Sequence, residues 1–180
     1  MSQNLRVTGP VRMLDIRVFQ HATEDRDRVV GALRFVSGTE EFRCSLAEGH
    51  HGNPIAILET ELTSRKDIEM FWVRVRNGGL FPGMEENLEE RINDAGELFI
   101  RFDKQKAVAG ALELSAGDDV IAVRARVFGV VNGREVRVGR DDAIEVMRAF
   151  LKDERVHGAD GGEQGAGSRE QGDGDGGDDE

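Results

Sequence analysis

The chain has 180 residues, of which 33% are charged and 38% hydrophobic, and its formal net charge is −11. This length is enough for one domain with a core of ordinary size. We expect no membrane-spanning segment, because no apolar run reaches the roughly 18 residues that such a helix needs. Residues 1–10 lack the apolar region of a signal peptide, so we expect a cytoplasmic protein.

The composition divides the chain into three parts. We expect a flexible N-terminus over residues 1–10, a single domain over residues 11–156 and a disordered tail over residues 157–180. The tail contains eight acidic residues and one basic residue, a net charge of −7, so residues 1–156 carry only −4. It has no large apolar side chain that would offset the entropy of ordering it. The nearly balanced domain is therefore able to carry a basic face despite the acidic total.

The choice of basic residues indicates the habitat. Most of the 24 basic residues are arginines, and the lysines are only Lys66, Lys104, Lys106 and Lys152. Many acids, few lysines and an acidic tail together predict a halophilic protein that stays soluble in concentrated salt. Because salt screens phosphate contacts strongly, affinity for a nucleic acid in such a cell must also use hydrogen bonds and shape.

The first half of the chain predicts a strand, a helix, a hairpin and a second helix. Alternating apolar residues indicate a strand over residues 11–19, and Thr23 is a suitable N-cap for the helix that follows. The single cysteine, Cys44, alternates with apolar residues in the next strand, so we expect it in the core. A strand over residues 55–62 completes the hairpin, and Ser64 caps the second helix. The core positions expected in the two helices are Val29, Leu33, Val36, Ile68, Phe71, Trp72 and Val75.

The second half of the chain predicts a short helix, three strands and a terminal helix. Alternation indicates strands over residues 98–102 and 120–131. The pair Asn132-Gly133 is a strong turn signal, so residues 134–138 are expected to pair back as an edge strand. The remaining expectations are a helical turn through Ala107, an N-cap at Asp141, and core positions at Met84, Leu88, Ile92, Ile121, Val123, Ala125, Val127, Ile144, Met147, Phe150 and Leu151.

The strands alternate in polarity instead of being apolar throughout, which is typical of sheets with one solvated face. The element order therefore predicts an α+β fold with a mixed or antiparallel sheet, backed by helices on one face and partly open on the other. Polar clusters follow the apolar runs at residues 21–25, 48–54 and 101–105. These clusters are the candidate sites, because loops on a rigid scaffold usually carry the binding groups.

The cluster over residues 48–54 combines two glycines, two histidines, an asparagine and a proline. His50 and His51 offer rings for stacking, and Asn53 both donates and accepts hydrogen bonds, as a base edge or a 2′-hydroxyl requires. The alternative is a hairpin loop in which the Asn-Pro pair sets the turn. Turn formation explains the glycines, the asparagine and the proline, but it does not explain the two histidines.

Basic side chains surround the end of the strand at residue 102. Together with the outward face of the strand over residues 120–131, they predict a basic stripe able to contact phosphates, which Arg43 joins if its strand is adjacent. The alternative is a solvated sheet face balanced by carboxylates, which is what most charge runs are. The stripe consists of Arg101, Lys104, Lys106, Arg124 and Arg126.

His21, followed by Glu24 and Asp25, is a third candidate site. Such a cluster is able to hold a metal or to act in acid–base chemistry, but no ligand pair has the spacing of a known metal motif. The chain also lacks the nucleophile-elbow, phosphate-loop and dinucleotide-binding fingerprints. We therefore expect no catalytic residue, no metal and no cofactor, and we expect His21 to make a polar contact at the end of its strand.

Residues 11–130 resemble an archaeal RNA-binding family that is also known as a predicted exosome subunit. The resemblance implies RNA binding, a link to RNA processing, and a fold similar to that of the ribosomal protein that binds 5S ribosomal RNA. One departure is His51, where a tyrosine is expected; the histidine keeps a ring for stacking but titrates near neutral pH. The resemblance rests on the order and spacing of His-Ala-Thr-Glu-Asp at 21–25, Glu-Gly-His-His-Gly-Asn-Pro-Ile at 48–55, Arg-Phe-Asp-Lys-Gln at 101–105 and Asp-Asp-Val-Ile at 118–121.

These observations predict a non-catalytic RNA-binding protein that takes structured RNA, with exosome or ribosome-related proteins as further expected partners. His50, His51 and Asn53 are expected to contact bases or sugars, the basic stripe to contact phosphates, and His21 to orient the site. Two alternatives stay open. One is an accessory subunit that docks on an RNase assembly without touching RNA, and the other is a hydrolase that uses the histidine and acidic clusters. The sequence predicts neither the RNA target nor the oligomeric state.

Overall fold

The structure, a computed structural model, describes residues 9–49 and 52–153. Within these ranges the chain forms six strands and six helices. The strands are β1 (Val11–His21), β2 (Arg43–Glu48), β3 (Pro54–Leu62), β4 (Glu97–Asp103), β5 (Val120–Val131) and β6 (Arg134–Arg137). The helices are α1 (Arg26–Ser37), α2 (Arg65–Asn77), α3 (Phe81–Glu86), α4 (Leu88–Arg91), α5 (Lys104–Val108) and α6 (Arg140–Lys152).

The strands form one sheet in the order β2-β3-β1-β5-β4, and β6 pairs with β5. Every strand pair in the described part of the chain is antiparallel. The predicted α+β class is therefore confirmed, and of the two expected sheet types the antiparallel one is present. The expected likeness to the ribosomal protein stays a prediction.

Alternation along the strands gives the sheet two different faces. Leu14, Ile16 and Val18 of β1 are buried together with the predicted core positions of β5, and they face the helices. An edge-to-face cluster of aromatic rings fills the space between α2 and α6, with Trp72 at centroid distances of 5.3 Å from Phe71 and 5.1 Å from Phe150. We call the opposite side the open face, because no described helix covers it.

The helix ends are set by local hydrogen bonds, and two predicted N-caps are wrong. Asp25, not Thr23, caps α1, because its carboxylate accepts a hydrogen bond from the backbone N–H of Arg28 at 3.0 Å. Gly139 rather than Asp141 precedes α6, and Asp141 lies in the first turn, where its charge suits the helix dipole. The predicted cap at Ser64 is confirmed, since its hydroxyl accepts from the N–H of Asp67 at 3.1 Å.

The predicted burial of Cys44 is wrong. All six residues of β2 are exposed, and Leu46 on the same face as Cys44 has 78% of its surface accessible. The cause is the position of β2 in the sheet and not the alternation of its residues. β2 pairs only with β3 at the edge of the sheet, beyond the reach of the described helices, so its alternation does not correspond to a buried face.

The predicted glutamate-rich helix over Met84, Leu88 and Ile92 is two short helices. The break falls at Asn87, where the backbone leaves helical geometry with φ of −114° and ψ of 24°. Ile92 lies after α4 and forms an isolated bridge with Leu98. The three apolar residues are nevertheless buried, as their spacing predicts.

Candidate functional site

Antiparallel pairing brings the polar clusters of the sequence to one end of the sheet. In the register, His21 pairs with Ile55 and Asp103 pairs with Val120. The strands β1, β2 and β4 therefore end where β3 and β5 begin. We call this region the motif end, and it consists of residues 21–25, 48–49, 52–54, 103–106 and 118–120.

Lys104 holds the motif end together from the inside. Its side chain is only 1% exposed, and its ammonium donates to the Phe19 carbonyl at 3.0 Å. It also forms ion pairs with Glu24, at 2.8 Å, and with Asp119. The placement of Lys104 on an exposed basic stripe is therefore wrong. The side chain of Lys104 is buried, and its charge connects β1, the loop before α1 and the loop before β5 instead of facing solvent.

Glu24 and Asp119 extend this ion cluster to the surface. The Glu24 carboxylate accepts a hydrogen bond from the backbone N–H of His21 at 2.8 Å, and Gln105 donates to Asp119 at 2.9 Å. Burial by itself raises the pKa of Asp119, but hydrogen bonds from Gln105 and Lys104 and the nearby positive charges of Lys104 and His21 outweigh it. The pKa of Asp119 consequently lies below its ordinary value. The imidazole of His21 is exposed at the rim of the cluster.

The loop between β2 and β3 closes tightly beside His21. The N–H of Gly49 donates to the Asn53 carbonyl at 2.8 Å, and Gly52 donates to the Gly49 carbonyl at 2.9 Å. Gly52 has a φ of 74°, a left-handed conformation that favours glycine. Asn53 is exposed, as a ligand contact requires. The predicted contacts His50 and His51 lie outside the described residues.

Arginines lie on the open face in rows that cross the sheet. Arg124 and Arg126 point away from the core, as the alternation of β5 predicts, and Arg101 shares their face. Two further arginines, Arg17 and Arg43, lie there as well. One row crosses five strands in the order Arg43, Glu59, Arg17, Ala122 and Arg101.

Most of these arginines are paired with carboxylates. Arg17 contacts Glu59 at 2.5 Å, and Arg43 contacts Glu61. Arg124 contacts Asp15 at 3.0 Å. The open face is therefore a mosaic of both charges, and contact between the basic stripe and phosphates stays a prediction.

Two of the open-face charges have shifted pKa values. Hydrogen bonding to Asp15 and the charge of Asp15 raise the pKa of Arg124. A hydrogen bond from Asn93 lowers the pKa of Glu97, whose carboxylate also lies 3.2 Å from Arg126. Both shifts favour the charged forms of Arg124 and Glu97.

Arg101 differs from the other arginines of the open face. Its side chain is exposed and has no ion-pair partner within residues 9–49 and 52–153, whereas its neighbours across the sheet are paired. A guanidinium without a carboxylate keeps its hydrogen-bond donors available for a phosphate, which it is able to bind with two parallel bonds.

The predicted site residues do not form one patch. His21, Asn53 and Lys106 lie at the motif end, where Lys106 is exposed with its ammonium 3.4 Å from Glu113. Arg126 lies six residues along β5 from Val120, a distance of roughly 20 Å at the rise of a strand. Arg101 and Arg124 lie between these two groups.

Two depressions accompany the arginines of the open face. The first has a volume of about 440 Å³ and is lined by Arg17, Arg43, Arg124 and Phe99. The second has a volume of about 740 Å³, lies beyond β4, and is lined by Arg101, Arg91 and the same phenylalanine. Phe99 thus stands between the two depressions.

Sequence reasoning missed Arg17, Phe19 and Phe99. The signal was present, because alternation that buries Leu14, Ile16 and Val18 places Arg17 and Phe19 on the opposite face. Phe99 lies between the buried residues of β4 in the same way. In the described ranges, no group of three or more histidine, cysteine or carboxylate side chains is arranged to hold a metal ion. No helix found there is long and apolar enough to cross a bilayer.

The fold and the open sheet face define an antiparallel α+β domain with one polar, uncovered sheet face. Residues 13–127 match the model of a protein family described as RNA binding. The chain therefore belongs to this RNA-binding family, and the match spans β1 to β5, including the motif end and the open face.

Relatives agree with this membership. The chain is 33% identical over 150 residues to the RNA-binding protein PAB1135 of Pyrococcus abyssi, covering 77% of this chain and 92% of that protein. It is also similar to the structure of Mth689 of Methanothermobacter thermautotrophicus, with a TM-score of 0.68, 31% identity, and coverage of 79% of this chain and 98% of that one. Protein SSO0741 of Sulfolobus solfataricus has a TM-score of 0.55 and 26% identity, with coverage of 77% and 96%.

Proposed function

We propose that this protein is a non-catalytic RNA-binding protein that takes structured RNA across its open face and the rim of its motif end. Membership of the RNA-binding family supports the kind of ligand. Basic side chains support phosphate contacts, namely the exposed Arg101, Arg124 and Lys106 and the half-buried Arg126. His50, His51 and Asn53 would contact bases or sugars, and His21 would orient the loop beside them.

The single observation that best supports a phosphate contact is the guanidinium of Arg101, which has no carboxylate partner among the described residues. The paired arginines are compatible with the same role, because exposed ion pairs contribute only about 0–1 kcal/mol and exchange a carboxylate for a phosphate at little cost. The carboxylates that remain would repel phosphates placed elsewhere on the face. Such a mosaic favours a ligand whose phosphates match the arginine positions over nucleic acid in general.

A non-catalytic role is supported because four carboxylates of the motif end already have structural partners. Glu24 and Asp119 hold the buried ammonium of Lys104. Asp25 and Asp103 cap α1 and α5 through hydrogen bonds to backbone N–H groups. General acid–base chemistry needs a carboxylate that is available to a substrate, and these four are engaged.

We also propose association with the exosome, which rests on the resemblance in sequence. The competing function is an accessory subunit that docks on an RNase assembly without touching RNA. The exposed edge strand β2, with Leu46 largely accessible, favours this alternative. Co-purification with exosome proteins that survives nuclease treatment, without RNA retained by the isolated chain, would select it.

RNA retention by the full chain tests the proposal. The chain would be incubated with total cellular RNA in concentrated KCl, and the retained RNA would be sequenced. Enrichment of a structured RNA class is the expected result. Arg101→Ala and the double variant His50→Ala with Asn53→Ala should each reduce retention. Arg65→Ala is the matched control, because Arg65 is an exposed, carboxylate-paired arginine on α2.

A further inference from the structure

Two phenylalanines are exposed on the open face. Phe19 has 41% and Phe99 has 38% of its surface accessible. A single exposed apolar residue is ordinary on a protein surface. These two share one face of the sheet with five arginines, and an aromatic ring beside guanidinium groups is the usual composition of a surface that stacks nucleic-acid bases.

The register places a shallow floor between the two rings. Phe99 pairs with Arg124, which pairs with Asp15, and Phe19 lies four residues further along β1. Strand geometry puts the two rings roughly 16 Å apart on a diagonal. The residue at the centre of this diagonal is Ala122, whose side chain is small and only partly exposed.

Two arginines flank the floor. Ala122 pairs with Arg17 on one side and with Arg101 on the other. The guanidinium of Arg17 lies 2.5 Å from the carboxylate of Glu59, and the guanidinium of Arg101 has no carboxylate partner within the described ranges. The diagonal from ring to ring is thus bordered by two positive charges at its middle, where the backbone of a bound strand would pass.

The two depressions adjoin one of the two rings, since Phe99 lines both of them. They meet at Phe99 and together extend from the β2–β3 side of the sheet to α4. In the second depression, the Nε atom of Arg91 is buried without a hydrogen-bond partner among the described residues. The guanidinium of Arg91 adds positive charge to the wall of the second depression.

We propose that the open face binds unpaired nucleotides, whose bases stack on Phe19 and Phe99 while their phosphates contact Arg17 and Arg101. This inference rests on the proposed function and names its substrate class, namely the loops, bulges and single-stranded ends of structured RNA. A continuous duplex does not fit this surface. Its bases are stacked on one another and offer no free ring face, and only unpaired bases splay out onto a protein aromatic ring.

Stacking has a signature that distinguishes it from phosphate binding. Phosphate contacts release counterions, so their contribution falls steeply as salt rises. Stacking on a ring involves no net charge, so the loss caused by removing a phenylalanine should be the same at low and at high KCl. A variant that merely disturbs the fold would instead lower thermal stability together with affinity.

The test measures affinity of the full chain for three RNA probes by fluorescence anisotropy. The probes are a mixed-sequence single strand of about 10 nucleotides, a hairpin carrying that sequence as its loop, and a blunt duplex with the hairpin's stem sequence. Phe99→Ala and Phe19→Ala should each weaken binding to the first two probes about 5- to 100-fold. Phe99→Tyr, which keeps a ring, should stay within about twofold of the wild type.

Two controls separate stacking from other effects. Phe99→Leu keeps an apolar side chain without a ring, and it should resemble Phe99→Ala. Met70→Ala removes an equally exposed apolar residue from α2, on the helix side of the molecule, and it should leave affinity unchanged. Melting temperatures of all variants should match that of the wild type, because the substituted residues are exposed.

The outcomes separate the two proposals. The inference is supported by three results together. The hairpin and the single strand bind, the duplex binds at least about tenfold more weakly, and affinity falls when the ring of Phe19 or Phe99 is removed. Equal binding of the duplex, or full affinity in Phe19→Ala and Phe99→Ala, overturns the inference while RNA binding itself stands. Absence of binding to every probe by the wild type overturns the proposed function, and the inference with it.

Discussion

The motif end and the open face differ in how their charges are used. At the motif end a buried lysine is fixed by two carboxylates and a carbonyl, and removal of the ammonium leaves both carboxylates without their cation. On the open face, the ion pairs are exposed and exchangeable. The motif end thus holds the scaffold from the inside, whereas the open face presents its charges to solvent.

The largest expected effect is the loss of the buried ammonium at the motif end. Lys104→Met should lower the free energy of unfolding by about 3 kcal/mol, the lower end for a broken buried pair, because Asp119 is half exposed and is able to regain solvent. Urea unfolding measures the change. Lys106→Met on the same helix is the control, and its effect should stay within about 0.5 kcal/mol. Equal stability of the two variants would contradict the distinction between the buried charges of the motif end and the exposed charges of the open face.

The next effect is on the open face and concerns affinity. Arg101→Ala should weaken RNA binding about tenfold, the scale of one hydrogen bond to a charged group. It should also reduce the slope of log affinity against log salt by about one. Its unfolding free energy should not change, because the guanidinium has no ion pair in the described part of the chain. A salt slope identical to that of the wild type would contradict the phosphate contact.

The cap of α1 gives a smaller effect at the rim of the motif end. Asp25→Ala should destabilise the protein by about 1 kcal/mol, because the backbone N–H of Arg28 loses its acceptor. Thr23→Ala should have almost no effect, since Thr23 makes no cap hydrogen bond in the structure. Thermal unfolding of the two variants side by side measures the difference. A larger loss for Thr23→Ala would restore the assignment made from the sequence.

The smallest expected effect is the pH dependence contributed by Asp119. Its pKa lies below its ordinary value of 3.8 in the folded protein. The stabilisation is therefore complete well above that value and is lost as the pH falls through the lower, folded-state pKa. Since Asp119 is half exposed, the contribution should stay below about 1 kcal/mol. In Asp119→Asn, the unfolding free energy measured with urea should fall less steeply as the pH is lowered. An unchanged dependence would show that Asp119 does not contribute to the acid sensitivity.

Local patterns in the sequence predicted most of the scaffold. Alternation identified β1, β3, β4 and β5, and the helical spacing of Ile68, Phe71, Trp72 and Val75 identified the buried face of α2. These predictions succeed because each of these elements buries one face. The apolar residues then recur at the side-chain period of the strand or helix, so the pattern identifies the element.

The errors have a common physical cause, which is that partners distant in sequence decide the outcome. Cys44 alternates like a core residue, but its strand lies at an uncovered edge. Lys104 looks like a surface cation, but Glu24 and Asp119 approach it from 80 and 15 residues away in sequence. Arg124 looks like part of a basic stripe until the register places Asp15 beside it. No local pattern contains these pairings.

The most direct test of the account is ultraviolet cross-linking of the full chain to RNA, with the linked peptides located by mass spectrometry. Short-wavelength light joins bases to side chains in direct contact, so the linked peptides report the binding surface. The account predicts links on β1 and β4, at Phe19 and Phe99, and on the loop over residues 48–54. Links confined to the helix side, on α2 or α6, or the absence of any link would contradict it.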